Sequence, residues 1–210
     1  LLVGVVVCVF FLFRQCRLEE PFLDVKILSS RKYAVSVISS MVLYLVMMGS
    51  SVMMPLYVQN VMGYSAVVSG LVTLPGSLAT AAVSPFAGRF YDRMGIKKIF
   101  VAGASALLIS NIGMYFLTME TPLFAAAALN VLRNLSIGSL MMPLLTWGTS
   151  HVDARKIADA SSLLTSLRTI AGSIGSAVFV GIMTLLSQES AAEYGDRALL
   201  HGINISFLWM

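Results

Sequence analysis

Long apolar runs broken by short polar segments dominate the sequence. No charged residue occurs between Tyr33 and Gly88, and the polar, glycine-containing segment QNVMGYS at Gln59–Ser65 divides that stretch. A helix needs about 20 residues to cross roughly 30 Å of hydrocarbon, so Tyr33–Gly88 is too long for one crossing and predicts two, with a turn at Gln59–Ser65. The same reading predicts the end of one span at Leu1–Phe13 and full spans at Tyr33–Val58, Ala66–Ala87, Ile99–Met119, Pro122–Trp147 and Ala160–Ser187. A last helix begins near Ala198. The two-residue alternation of a transmembrane barrel is not seen. The expected fold class is an all-α integral membrane bundle, divided into a span end and linker at residues 1–32 and a transmembrane bundle at 33–210.

Composition agrees: 58% of the 210 residues are hydrophobic and 11% charged, and mean hydropathy is +0.86. The net charge is +4, but the basic residues sit in short loops instead of one patch, which argues against a nucleic-acid partner. Alternate loops at 14–32, 89–98 and 151–159 hold five, four and two Lys or Arg, whereas those at 59–65, 118–121 and 188–197 hold zero, zero and one. By the positive-inside rule, the first three loops are expected on the cytoplasmic side of a multipass cell-membrane protein. Cys8 and Cys16 form neither a disulfide framework nor a metal-binding CxxC. There is no convergence of His, Cys, Asp or Glu and no Walker loop, so neither an enzyme, a metal site nor a cofactor is expected. The chain starts without Met and stops inside the apolar ISFLWM, which suggests a piece of a longer protein.

Several segments resemble one family. PFLDVKILSSRKY is similar to the cytoplasmic linker of fourteen-helix drug/proton antiporters of the major facilitator superfamily, and PLYVQNVMGYSAVVSGLVTLPG to the segment that follows it. GRFYDRMGIKK resembles the superfamily's cytoplasmic loop motif through Gly88, Asp92, Arg93, Gly95, Lys97 and Lys98. RNLSIGSLMMP and LLTSLRTIAGSIGSA resemble two later helices, with Ser136 where a Gly and Thr165 where an Asn is more usual. The resemblance implies the C-terminal part of a secondary transporter that exports amphipathic drugs or toxic metabolites in exchange for protons by alternating access. A metabolite symporter or uniporter, or a multipass protein without transport, remains the alternative. Its partners would be a small amphipathic substrate, protons, the lipid bilayer and the missing N-terminal half. The resemblance also implies that the proton-carrying acid lies in the N-terminal helices; all ten acidic residues here fall in loops, so this chain alone is not expected to couple protons.

Individual residues carry further expectations. Gly88 and Gly95 permit a sharp turn and close approach, and Asp92, Arg93, Lys97 and Lys98 can form either a state-dependent latch or a solvated turn. Arg133 and Arg168 fall inside spans, where a basic side chain costs roughly 2.5–3.5 kcal/mol on insertion scales and must face protein or a water-filled cavity. Their partners would be backbone carbonyls or polar side chains such as Asn111 or Asn130, and their role either an inter-helix clamp or substrate and proton passage. Tyr44, Met48, Tyr57, Asn111 and Tyr115 are further cavity candidates, with Met41, Met47, Met53 and Met54 near them in sequence. Gly172, Gly175 and Gly181 are expected to let helices pack closely. Pro75, Pro85 and Pro143 are expected to kink their spans, and His151 and His201 to be bystanders.

Overall fold

The computed structural model describes residues 25–190 and 194–210, with Phe10 and Arg14. The rest of the expected span end at Leu1–Phe13, Cys8, Cys16 and the linker up to residue 24 lie outside the described residues. The described residues from Arg31 onward form five α-helices: α1 (Arg31–Leu56), α2 (Ala66–Tyr115), α3 (Leu123–Thr149), α4 (Ile157–Glu189) and α5 (Ala198–Trp209). The first four are long and apolar enough to cross a membrane, and the described residues contain no strand.

The connections follow local chemistry. Beyond Pro55, which removes a helical N–H, α1 loosens into a π-helical turn at Tyr57–Val61. Gly63 takes a φ of 74°, and the Ser65 hydroxyl accepts from the Val68 N–H at 3.5 Å to cap α2. Pro75, Pro85 and Pro143 all sit within helices that remain assigned as continuous around them.

The predicted ten-residue loop at 89–98 is a correction. Helix continues through Arg89–Met94, because that segment holds no breaker, and only Gly95 departs from helical geometry, with φ 74° and ψ 162°. Those angles are essentially reserved for glycine. The chain reverses there, as contacts with α3 show. Gly76 and Thr80 of the first arm face Asn134 and Gly138, with numbers rising together. On the second arm Gly103 faces Leu140, whereas Gly113 faces Leu129, with numbers running oppositely. The first arm is therefore parallel to α3 and the second antiparallel, which gives the two predicted crossings.

Further registers complete an up-and-down bundle. The Tyr33 hydroxyl donates to the Ala160 carbonyl at 2.7 Å and Gly175 abuts Leu45, so α1 and α4 run parallel. The Ser36 hydroxyl donates to the Leu144 carbonyl, beside Gly148, so α1 and α3 run antiparallel. At the opposite end the Tyr57 hydroxyl donates to the Thr118 carbonyl at 2.7 Å, and Asn204 Nδ2 of α5 donates to the Leu117 carbonyl at 2.9 Å. One end of the bundle thus gathers Arg31, Lys32, Arg93, Lys97, Lys98 and Arg155, while Arg197 lies towards the other.

Buried Met53, Met54, Tyr57, Met114, Phe179 and Phe207 form the core near the less basic end. Leu43, Ile99, Ile137, Leu140 and Leu144 form it towards the middle, and Tyr33, Val37, Leu163 and Leu164 at the basic end. Large apolar side chains such as Val67, Leu71, Leu78, Ile109 and Phe124 are exposed, as expected of surfaces that face lipid.

Candidate functional site

Three helices enclose a cavity of about 340 Å³ lined by Met47, Met48, Ser50, Ser51, Met54 and Pro55 of α1, Thr73 and Ser77 of α2, and Asn130 and Asn134 of α3. Asn130 lies seven residues into α3, or about 10 Å at 1.5 Å per residue, so the cavity is at membrane depth. No charged residue lines it. Gly76 keeps the floor open: a Cβ there would stand 2.7 Å from Asn134 Nδ2 and 3.0 Å from Asn130 Nδ2.

The two asparagines are one turn apart and form a pair. Asn134 Nδ2 donates to the Asn130 carbonyl at 2.8 Å and to Asn130 Oδ1 at 3.1 Å. The Thr80 hydroxyl holds the same turn by donating to the Asn134 carbonyl at 3.0 Å. Asn130 is 5% exposed, and its Nδ2 has no partner among the described residues. An unmet buried donor costs about 1–3 kcal/mol.

Arg133 points elsewhere. It is fully buried between α3, the second arm of α2 and α5. Its Nη2 donates to Asn111 Oδ1 at 2.7 Å and to Met210 Sδ at 3.4 Å, and its Nη1 to Met114 Sδ at 3.3 Å. The guanidinium carbon lies 4.9 Å from the centre of the Phe207 ring, a desolvated cation–π contact worth roughly 2 kcal/mol. Nε has no partner among the described residues. Of the two partners expected from sequence, Asn111 supplies the bond and Asn130 does not. Arg168 is half-buried, with its guanidinium 5.5 Å from the centre of the Tyr44 ring.

The other sequence candidates divide. Met48 lines the cavity, with Met47 and Met54. Tyr44 instead packs with Met48 against Gly172, where a Cβ would meet the two side chains at 2.5 and 2.8 Å. Tyr57 is fully buried in the core and anchors the Thr118 turn; it is not a cavity residue. Asn111 is committed to Arg133, and Tyr115 lies on the outside with its ring edge against Phe116. Gly175 abuts the backbone of Leu45, its Cβ position only 2.6 Å from that carbonyl oxygen. Gly181 and Gly88 have no neighbour within 4 Å of their Cβ positions, so neither enables a close approach. His151 bonds the Trp147 carbonyl through Nδ1 at 2.8 Å, and the His201 ring stacks on Tyr194.

In the turn motif, the side chains of Asp92, Arg93, Lys97 and Lys98 are exposed and make no hydrogen bond or ion pair with described residues. Sequence reasoning passed over Asn134, Ser50, Ser51, Thr73 and Ser77. The available signal was the Asn-x-x-x-Asn spacing at 130 and 134, two amides on one face of an apolar helix.

Four of the described helices are long and apolar enough to cross a membrane, and three of them share a polar, uncharged cavity. The Major Facilitator Superfamily model matches residues 2–176, and the chain belongs to that family of multipass membrane transporters. It is 29% identical over 208 residues to the uncharacterized MFS-type transporter YcnB of Bacillus subtilis, with 99% of this chain and 44% of that protein aligned. The lincomycin resistance protein LmrB of Listeria innocua is 27% identical over 88% of this chain and 39% of its own length. The multidrug export protein EmrB of Haemophilus influenzae is 31% identical over 76% of this chain and 32% of its own. The chain therefore spans less than half the length of these relatives.

Proposed function

We propose that the chain forms the C-terminal half of a proton-coupled exporter of small amphipathic molecules, with the α1–α2–α3 cavity as its share of the substrate passage. The observation that carries this reading is the 340 Å³ cavity itself, a polar and uncharged space between three helices. The similarity to proteins named for lincomycin resistance and multidrug export supports efflux as the direction. The asymmetric distribution of basic residues supports a cytoplasmic, plasma-membrane setting for the Gly95 end.

In this reading the bundle rocks against the other half of the transporter around the cavity. The exposed Asp92, Arg93, Lys97 and Lys98 latch that half in one state and release it in the other. No acidic side chain lines the cavity, so the proton is carried by a group on the other half. Arg133 clamps three helices and takes no part in passage. The test is export of a fluorescent amphipathic dye by the full-length transporter in everted vesicles. A proton gradient is expected to drive export and an ionophore to abolish it, with Asp92→Asn slowing turnover several-fold. Export that survives collapse of the gradient would replace the antiporter with a uniporter.

A further inference from the structure

We infer that Arg168 and Tyr44 form a carboxylate-binding site where α4 meets α1, beside the cavity. The inference rests on the reading of that cavity as part of the substrate passage. It follows from an arginine set at membrane depth with its donors uncommitted.

Arg168 lies eleven residues into α4, about 17 Å from the start of that helix at 1.5 Å per residue. It makes no hydrogen bond or ion pair with described residues. Its Nε is buried without a partner, whereas Nη1 and Nη2, equally without partners, keep accessible surface. The nearest acid on the same helix, Asp159, is nine residues away, or about 14 Å, and α1 carries no acid. A cation so placed calls for a counter-charge from outside the described residues.

The groups beside it also offer donors. The guanidinium carbon lies 5.5 Å from the centre of the Tyr44 ring, and the hydroxyl on that ring has no partner and keeps accessible surface. Thr165, one turn back in the direction helical side chains lean, is exposed with its hydroxyl unbonded. Farther on, the hydroxyls of Thr169 and Ser173 are spent on the carbonyls of Thr165 and Thr169 at 2.8 and 3.1 Å. A guanidinium fork matches the two oxygens and the single charge of a carboxylate. A phospholipid head group does not fit, because the exposed neighbours Thr165, Thr169 and Ser173 are polar, unlike Val67, Leu71 and Leu78 on α2. Tyr44 packs with Met48 against Gly172, and Met48 lines the cavity. The site therefore adjoins a thioether wall suited to the apolar body of an amphipathic acid. The carboxylate comes either from the substrate or from a side chain of the other half.

The test uses the purified full-length transporter in nanodiscs, with 1-pyrenebutyrate and its uncharged amide as fluorescent probes and empty nanodiscs as the blank. If the substrate supplies the carboxylate, the acid binds more tightly than the amide. Arg168→Gln then weakens the acid about tenfold and leaves the amide unchanged, and Tyr44→Phe weakens the acid to a smaller extent. Arg168→Lys, which keeps the charge without the fork, retains part of the preference and answers the question if the glutamine variant fails to fold. The same lysine variant tests the other source: a membrane-soluble carbodiimide couples its amine to an adjoining carboxylate. Halves that then stay together after proteolysis between them, in this variant and not in the unmodified protein, assign the carboxylate to the other half. Equal or absent affinity for the two probes together with halves that separate, or an acid preference unchanged in Arg168→Gln, overturns the inference. Ionophore-sensitive dye export by the same preparation reports separately on whether the transport reading stands.

Discussion

Arg133 Nη2 donates to Asn111 Oδ1 at 2.7 Å, joining α3 to the second arm of α2 beside Met114, Met210 and Phe207. Hydrogen bonds to charged groups are worth about 1.5–3 kcal/mol, and a buried charge that loses its partner costs more than a buried pair replaced by apolar side chains. Asn111→Leu should therefore lower stability by about 2 kcal/mol. Arg133→Met, which removes the charge but keeps much of the volume, should cost less, and the double variant should resemble Arg133→Met alone. Thermal unfolding of the full-length protein in detergent measures all three. A larger loss for Arg133→Met than for Asn111→Leu would show that the guanidinium contributes more than a bridge between helices.

Gly175 and Gly181 lie on the same helix but should respond oppositely to alanine. At Gly175 a Cβ would sit 2.6 Å from the Leu45 carbonyl oxygen, so α1 and α4 must separate. Gly175→Ala should lower the unfolding midpoint by several degrees. Gly181→Ala meets nothing within 4 Å and should raise stability by up to about 1 kcal/mol through helix propensity. A matching effect at both sites would remove the close approach as the explanation.

The reversal of α2 depends on one residue. Gly95→Ala forces a side chain into φ 74°, ψ 162°, which costs of order 1–3 kcal/mol. Gly88→Ala, seven residues earlier in regular helix, should be neutral or slightly stabilising. Expression level and thermal unfolding of the two variants compare them directly.

Sidedness follows from the same reversal. In a protein with Cys8 and Cys16 replaced by serine, Lys98→Cys should react with a membrane-impermeant maleimide only after cells are permeabilised, and Asn60→Cys in intact cells. Labelling of position 98 from outside would invert the orientation and with it the proposed export direction.

Much of the fold is visible in the amino-acid order because insertion into a bilayer is a one-dimensional sorting problem. An uncharged run from Tyr33 to Gly88 must make two crossings, and Gln59–Ser65 with Gly63 is the natural place to turn. The five spans expected between Tyr33 and Ser187 and the start near Ala198 correspond to α1, the two arms of α2, α3, α4 and α5. The expected loop at 89–98 differs from the structure because charge does not mark the end of a helix. Charge marks the end of the hydrocarbon, and Arg89–Met94 continues as helix past it until Gly95.

The site was less legible for a physical reason. In a soluble helix, apolar residues mark the buried face, but lipid is as apolar as a protein interior, so periodicity along α3 does not separate inside from outside. Asn130, Arg133 and Asn134 lie within five residues, yet Arg133 sits about 100° around the helix from Asn134 and meets α5, while the asparagines meet α1 and the first arm of α2. Composition and the positions of lysine and arginine by themselves determined a multipass helical bundle with one basic end. Packing alone decided that Asn111 and not Asn130 receives Arg133, that Tyr57 closes a turn instead of lining a cavity, and that Nδ2 of both Asn111 and Asn130 is left without a partner among the described residues. Those outcomes depend on which helices touch, and side-chain contacts between distant segments leave no mark in the local order of residues.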